Sequence, residues 1–293
     1  MPMTDPKFID ADGMKTRYFE QGNGEPLVLW HGSHFGTQDA CDSALDWELN
    51  FDALSQWFRV IAVDKLGQGH TDNPKTDADY TPDAVVEHAH GFLKAMKLQN
   101  VHVGGHSRGG YVAARLTLLH PEIVKSCIII DSGSLAPGPS TTEMVMADRP
   151  KPYLSRESQR WVVEHYSYGS DHITERWIDA AVEIAQSPKY QESVRKMNEQ
   201  GLKDKLFMPQ LTLDKEECLQ WMLQGRLKTP TLVVWGYNDP TAQFKRGQAL
   251  FEFVANSTEN AQMHVINKAG HFCYREHPEQ FNLAVKGFVE SLA

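Results

Sequence analysis

The chain lacks almost everything that would direct it to a nucleic acid, a membrane or an oxidising compartment. Its 29 lysines and arginines are outnumbered by 38 acidic residues, the formal net charge is -9, and no basic run breaks that balance. Such a surface repels phosphate backbones and anionic lipid, which excludes nucleic acids and membranes as partners and leaves small-molecule substrates. No apolar stretch approaches the roughly 20 residues that a membrane-spanning helix requires. Cysteines number four in 293 residues (Cys41, Cys127, Cys218, Cys273), too scattered for a disulfide framework or a zinc site. No stretch has the basic start, apolar middle and small-residue cleavage site of a secretory signal, so a cytoplasmic setting is expected. Internal repeats and low-complexity tracts are missing too.

What the chain does have is alternation. Lys15 to Glu20, Pro26 to Trp30, Arg59 to Asp64, Asn100 onward, Val124 to Asp131, Thr231 to Trp235 and Gln262 to Ile266 read as strands, most of them apolar nearly throughout. Helical spacing lies between them. Trp47 to Trp57 reads as a helix, Thr81-Pro82 starts a second as cap and first-turn proline, Gly109 to His120 carries a third, and Gln243 to Phe253 a fourth. Pro278 opens the closing helix, with Phe281, Ala284, Val285, Phe288 and Leu292 inward. Strand, helix, strand in succession predicts a mostly parallel sheet with helices on both faces. Residues 137–227 break the rhythm with prolines and helical patterns only, among them Lys189 to Gln200, capped by Ser187 and stopped by Gly201. They read as a helical lid inserted into a core formed by residues 1–136 and 228–293.

The chemistry concentrates in Gly105-His106-Ser107-Arg108-Gly109, which falls where a strand turns sharply into a helix. The glycines remove side chains that would collide in so tight a bend, and the serine hydroxyl is left exposed at the sheet edge. The backbone N–H of Arg108 would then face the oxygen of whatever Ser107 attacks. His31-Gly32-Ser33-His34, the exit of an earlier strand, offers the N–H of Ser33 as a second oxyanion donor.

A serine hydroxyl needs an imidazole to take its proton, and the imidazole needs a carboxylate to fix its tautomer. Asp239 and His271 each follow a strand, so Ser107, Asp239 and His271 share the carboxyl edge where ligands bind such sheets. Asp131 competes as the acid, and His106 and His34 as the base; His34 is also placed to face substrate. No metal or organic cofactor is implied, and His88 and His90, two apart on a helix, do not make a metal pair.

The order serine, acid, histidine is that of the α/β-hydrolases. Gly105-His-Ser-Arg-Gly-Gly-Tyr111, Asp131 to Pro137, Trp235-Gly-Tyr-Asn-Asp239, Ala269-Gly-His-Phe272 and Glu276 to Phe281 more specifically resemble the meta-cleavage product hydrolases of aromatic degradation. The resemblance implies an α/β-hydrolase fold and water-dependent cleavage of a carbon–carbon bond in a 2-hydroxy-6-oxohexa-2,4-dienoate. The products would be 2-hydroxypenta-2,4-dienoate and a carboxylic acid. It also implies a homodimer or larger assembly and a lid arginine on the dienoate carboxylate, for which Arg176 is preferred over Arg195. Phe272 stands where the family carries a tryptophan, His106 where it carries an asparagine, and Ser33-His34-Phe35 where its loop is rich in glycine and proline. The family's loop asparagine could correspond to Asp42 or Asn50. A carboxylesterase or lactonase would need the same triad without the dienoate site.

Overall fold

The computed structural model describes residues 3–292. Eight strands, β1 (Lys7–Ala11), β2 (Met14–Gln21), β3 (Glu25–Trp30), β4 (Phe58–Val63), β5 (Val101–His106), β6 (Val124–Ile130), β7 (Thr231–Gly236) and β8 (Ala261–Ile266), form one sheet in the order β1-β2-β4-β3-β5-β6-β7-β8. From β4 to β8 every pairing is parallel, while β1 and β2 join antiparallel at one edge. The parallel strands are apolar on both faces because helices cover both: Leu27 to Trp30, Ile128 to Ile130 and Leu232 to Trp235 are all buried.

The helices are α1 (Phe51–Leu54), α2 (Pro82–Ala95), α3 (Arg108–Leu119), α4 (Thr142–Val145), α5 (Arg156–Tyr166), α6 (Glu175–Gln186), α7 (Pro188–Val194), α8 (Met208–Leu223), α9 (Phe244–Ser257), α10 (Cys273–Glu276) and α11 (Pro278–Glu290). Their starts carry the expected chemistry. Thr81 accepts a hydrogen bond from Ala84 N ahead of Pro82, and Ser155, Thr174 and Ser187 cap α5, α6 and α7 in the same way. The chain between β6 and β7 is helical without a strand, and α4 to α8 all lie in it.

Two expectations need correction, and one strand was not foreseen. Trp47 to Trp57 is not one helix: a tight turn over Ala44–Trp47 is separated from the four-residue α1. Asn50 lies at the break, where its amide donates to Tyr274 O (2.8 Å) and Asn282 Oδ1 (3.1 Å), so tertiary bonds override the helical spacing. The segment after Ser187 is helical only to Val194, then widens into a π turn over Arg195–Glu199 before Gly201, whose φ is +72°. Strand β1 was not anticipated, since most of its side chains face solvent at the sheet edge and give no apolar signal.

Strand order reverses beside β3, with β4 on one side and β5 on the other. In open sheets of this type the loops leaving the two strands at such a reversal part and leave a crevice. Ser33 follows β3 and Ser107 follows β5, so both border it. No helix among the described residues is long and apolar enough to cross a membrane, and all four cysteines are buried and unbridged.

Candidate active site

Ser107 joins β5 to α3 with φ +54° and ψ -117°, a conformation that a non-glycine residue holds only when its surroundings enforce it. The enforcement is visible. Ser107 O accepts from Ser132 Oγ (2.6 Å) and Gly110 N (3.0 Å), and Ser107 N donates to Ile130 O (2.8 Å). A Cβ on Gly105 would lie 2.1 Å from Gly109 O, and one on Gly109 would lie 2.3 Å from Trp30 O. The glycines are therefore required by backbone packed against backbone.

Facing the elbow is the loop after β8. His271 Nδ1 donates to Asp239 Oδ2 at 2.6 Å, while Asp239 Oδ1 accepts from Thr241 N (2.7 Å), Thr241 Oγ1 (2.9 Å) and Ala242 N (2.8 Å). Burial alone would raise this carboxyl, but the imidazole and these donors overcome it and hold Asp239 below the usual carboxylate range. Asp131, the rival acid, accepts from Gly236 N (2.8 Å) and is bonded to no histidine. Burial, reinforced by the charge of Asp239, pushes Asp131 well up, toward the protonated form.

His271 is fixed through its backbone on both sides. Its N–H donates to Tyr166 O at the end of α5 (2.7 Å), and its carbonyl accepts from His106 Nε2 (2.8 Å). His106 is fully enclosed, its ring centroid 4.6 Å from that of His271, and burial drives its pKa well down. It is a neutral brace for the histidine loop. Among the described residues no hydrogen bond joins Ser107 Oγ to His271; bonds of this kind tighten when substrate is bound.

Ser33 has φ +61°, its hydroxyl donates to Ala40 O (3.0 Å) and its carbonyl accepts from Lys65 Nζ (2.7 Å). Among the described residues the backbone N–H groups of Ser33 and Arg108 make no hydrogen bond. Both residues line one small cavity with His34, Lys65, Gln68 and Phe207. His34 donates Nδ1–H to Phe35 O (2.8 Å), rests against the Phe207 ring (4.8 Å) and is held neutral, its pKa driven well down by burial and then by Arg108. Asp42 lines a neighbouring cavity with Val163, Trp177 and Ala181. It approaches Gly32 so closely that a Cβ there would meet its Oδ2 at 2.6 Å and Ser107 Cβ at 3.3 Å. Of the two candidates for the family's loop asparagine, Asp42 reaches the elbow and Asn50 does not.

Arg176 is not brought to the cleft. Its Nη2 donates to Met3 O (2.7 Å) and its Nη1 lies 3.5 Å from Glu48 Oε2, so acceptors near the amino-terminal segment take the guanidinium. Arg195 is exposed. Phe272 is buried beneath His271, edge-on to Trp177 (5.1 Å) and 5.2 Å from His106. Lys65, Gln68 and Phe207 were not singled out from sequence; for Lys65 the available signal was its place directly after the strand ending at Asp64.

His31, Asp42 and Asp46 offer atoms within 4.8 Å of one another, as a metal site would. The donor set does not suit a metal. His31 Nδ1 donates to Gly32 O (3.0 Å) and Nε2 accepts from Lys65 N (3.1 Å), so no ring lone pair is left. Burial also pushes both carboxyls toward the protonated form, Asp46 to about 7.

A parallel sheet with a strained serine elbow and a histidine–carboxylate pair at its carboxyl edge defines the class: residues 25–278 match the model of the alpha/beta hydrolase fold, and the chain belongs to that family. Within it, the chain is 28% identical to the 2-hydroxy-6-oxo-6-(2'-aminophenyl)hexa-2,4-dienoic acid hydrolase of Metapseudomonas resinovorans, over 98% of this chain and 91% of the relative. It is 27% identical to Lipase 3 of Moraxella sp. (strain TA144), over 89% and 76% of the two chains. The meta-cleavage product hydrolase of Pseudomonas fluorescens IP01 superposes with a TM-score of 0.78 at 25% identity, covering 98% of both chains.

Proposed function

We propose that the protein is a serine-dependent hydrolase that cleaves a carbon–carbon bond in a 2-hydroxy-6-oxohexa-2,4-dienoate. Ser107 is the nucleophile, His271 the base and Asp239 its orienting acid. The observation that carries the reading is the 2.6 Å bond from His271 Nδ1 to Asp239, which leaves Nε2 as the basic nitrogen opposite a serine elbow. The end-to-end similarity to dienoate hydrolases supports the substrate class.

In the reaction His271 first assists ketonisation of the dienol. Ser107 Oγ then bonds to the ketone carbon as its proton passes to His271 Nε2, and the N–H groups of Ser33 and Arg108 hold the oxyanion. The carbon–carbon bond breaks, the departing carbon takes the proton, and water hydrolyses the acyl-serine. The helices between β6 and β7 form the lid that shapes the acyl pocket, with His34 and Phe272 near the substrate.

Similarity to a lipase favours a second reading, an esterase using the same triad. Purified protein mixed with coloured dienoates separates the two: bleaching with release of an acid supports the first, and ester turnover with no bleaching across aryl and alkyl dienoates replaces it with the second.

A further inference from the structure

Buried arginines in this fold are held by acceptors. Arg17 Nε donates to Asp64 Oδ2 (2.6 Å), Arg115 Nη1 to Glu217 Oε2 (2.7 Å), Arg246 Nη2 to Gly133 O (2.6 Å), and Arg275 to Asp46 O (2.7 Å) and Glu48 Oε1 (3.0 Å). Arg108, which is partly buried, is held by none. Among the described residues it makes no hydrogen bond and no ion pair, and its Nε is sealed from water with no partner. Its recorded ring contact is with Phe207, 5.9 Å from the centroid.

The Arg108 side chain is partly buried with its Nη atoms still accessible and no acceptor on them, and a carboxylate docking there would meet them with two-pronged geometry. We infer that Arg108, aided by Lys65, is the seat for the carboxylate of an anionic substrate whose scissile carbonyl reaches Ser107. The inference rests on the reading of Ser107 as nucleophile. Lys65 lines the same cavity with its Nζ donating to Ser33 O; burial pushes its pKa down to about 7, so it assists chiefly as a hydrogen-bond donor and Arg108 carries the charge. Burial, and then the neighbouring Asp46, pushes Asp42 well up against the opposing pull of Lys65 and Arg108, and Asp42 makes no ion pair with Arg108. Phe207, Leu211 and Val112 complete the wall and suit an apolar carbon chain between the carboxylate and the carbonyl. The seat therefore lies on the sheet side of the cleft, on the residue after the nucleophile. Arg176 is already engaged elsewhere.

The experiment compares two substrate pairs, each with one charged and one neutral member. One pair is a dienoate and its methyl ester; the other is 4-nitrophenyl hydrogen glutarate and 4-nitrophenyl pentanoate. The readout is the ratio of kcat/KM for the acid to that for the neutral member, which does not depend on how much of a variant is folded. Wild type should prefer the acid. Arg108→Met should lower the ratio by about ten- to a hundredfold, the scale of a lost charged hydrogen-bond pair, Lys65→Met should lower it less, and Arg108→Lys should restore part of it. If no dienoate is turned over but Arg108→Met abolishes a preference for the glutarate, the carbon–carbon reading fails and the seat stands. Absence of any acid preference in wild type on both pairs, or an equal loss on acid and neutral members in Arg108→Met, overturns the seat.

Discussion

Asp131 and Asp239 are pushed in opposite directions: burial, with the charge of Asp239 added, raises the Asp131 carboxyl, while against its own burial Asp239 is held down by His271 and backbone donors. The two carboxyls follow the neighbouring strands β7 and β6, and only one is bonded to an imidazole. The charge that His271 stabilises on Asp239 adds to the burial that drives Asp131 up. Two acids at the same edge of the sheet are thus shifted in opposite directions, and their amide variants should behave differently. Asp239→Asn should lower kcat by about a thousandfold or more, because the amide favours the wrong imidazole tautomer. Asp131→Asn is an isosteric change at a carboxyl that burial already pushes toward the neutral form, and at a backbone φ of +42° that asparagine tolerates, so kcat should stay within about threefold. Steady-state rates of both variants decide it; the reverse ranking would move the acid to β6.

Ser107→Ala should reduce turnover by about a thousandfold or more, as removal of a triad nucleophile does. Substrate should still bind, because the two backbone donors and the cavity remain. Titration of the coloured substrate, followed by its absorbance shift, measures binding without turnover. Full activity in this variant would remove the nucleophile assignment.

Gly109→Ala drives a methyl group into the carbonyl oxygen of Trp30, 2.3 Å away, and that atom belongs to the central strand β3. Overpacking against backbone should cost about 2 kcal/mol or more, with the melting temperature falling by about 5 °C. Calorimetry on the purified variant checks this, and an unchanged melting temperature would mean that elbow and strand are less tightly apposed.

His88 is buried against the hydroxyl of Thr16 (2.8 Å), and burial lowers its pKa to about 4. Its folded value lies below the unfolded one of about 6.5, so the stability it contributes is present above pH 6.5 and is lost as pH falls toward 4. His88→Gln removes the titration. The stability gap, wild type minus variant, should shrink by about 1.4 kcal/mol per pH unit across that window. Urea unfolding at several pH values measures the gap, and a constant gap would contradict a neutral His88.

Local chemistry announced the main features of the sheet and the elbow in the sequence. Gly105 and Gly109 around Ser107 mark a bend that other residues could not make, and the apolar strands up to β8 are continuous enough to read. What stayed hidden depends on partners distant along the chain. Asp131 and Asp239 both follow strands, and only the imidazole bond separates them. The spacing of Trp47, Phe51 and Leu54 suits a helix, yet Asn50 is claimed by Tyr274 and Asn282 more than two hundred residues away. Nothing local marks Arg108 as unpaired, because pairing is decided by the neighbours that folding supplies.

The main-chain N–H of His271 hangs on the carbonyl of Tyr166, the last residue of α5, and a Cβ on Gly270 would strike that same oxygen at 2.4 Å. α5 and the loop carrying His271 are thereby joined at this point. Any swing of α5 that uncovers the crevice must either snap that tether or drag the imidazole along. If α5 moves as part of the proposed lid, the histidine proposed as base would be unseated together with it.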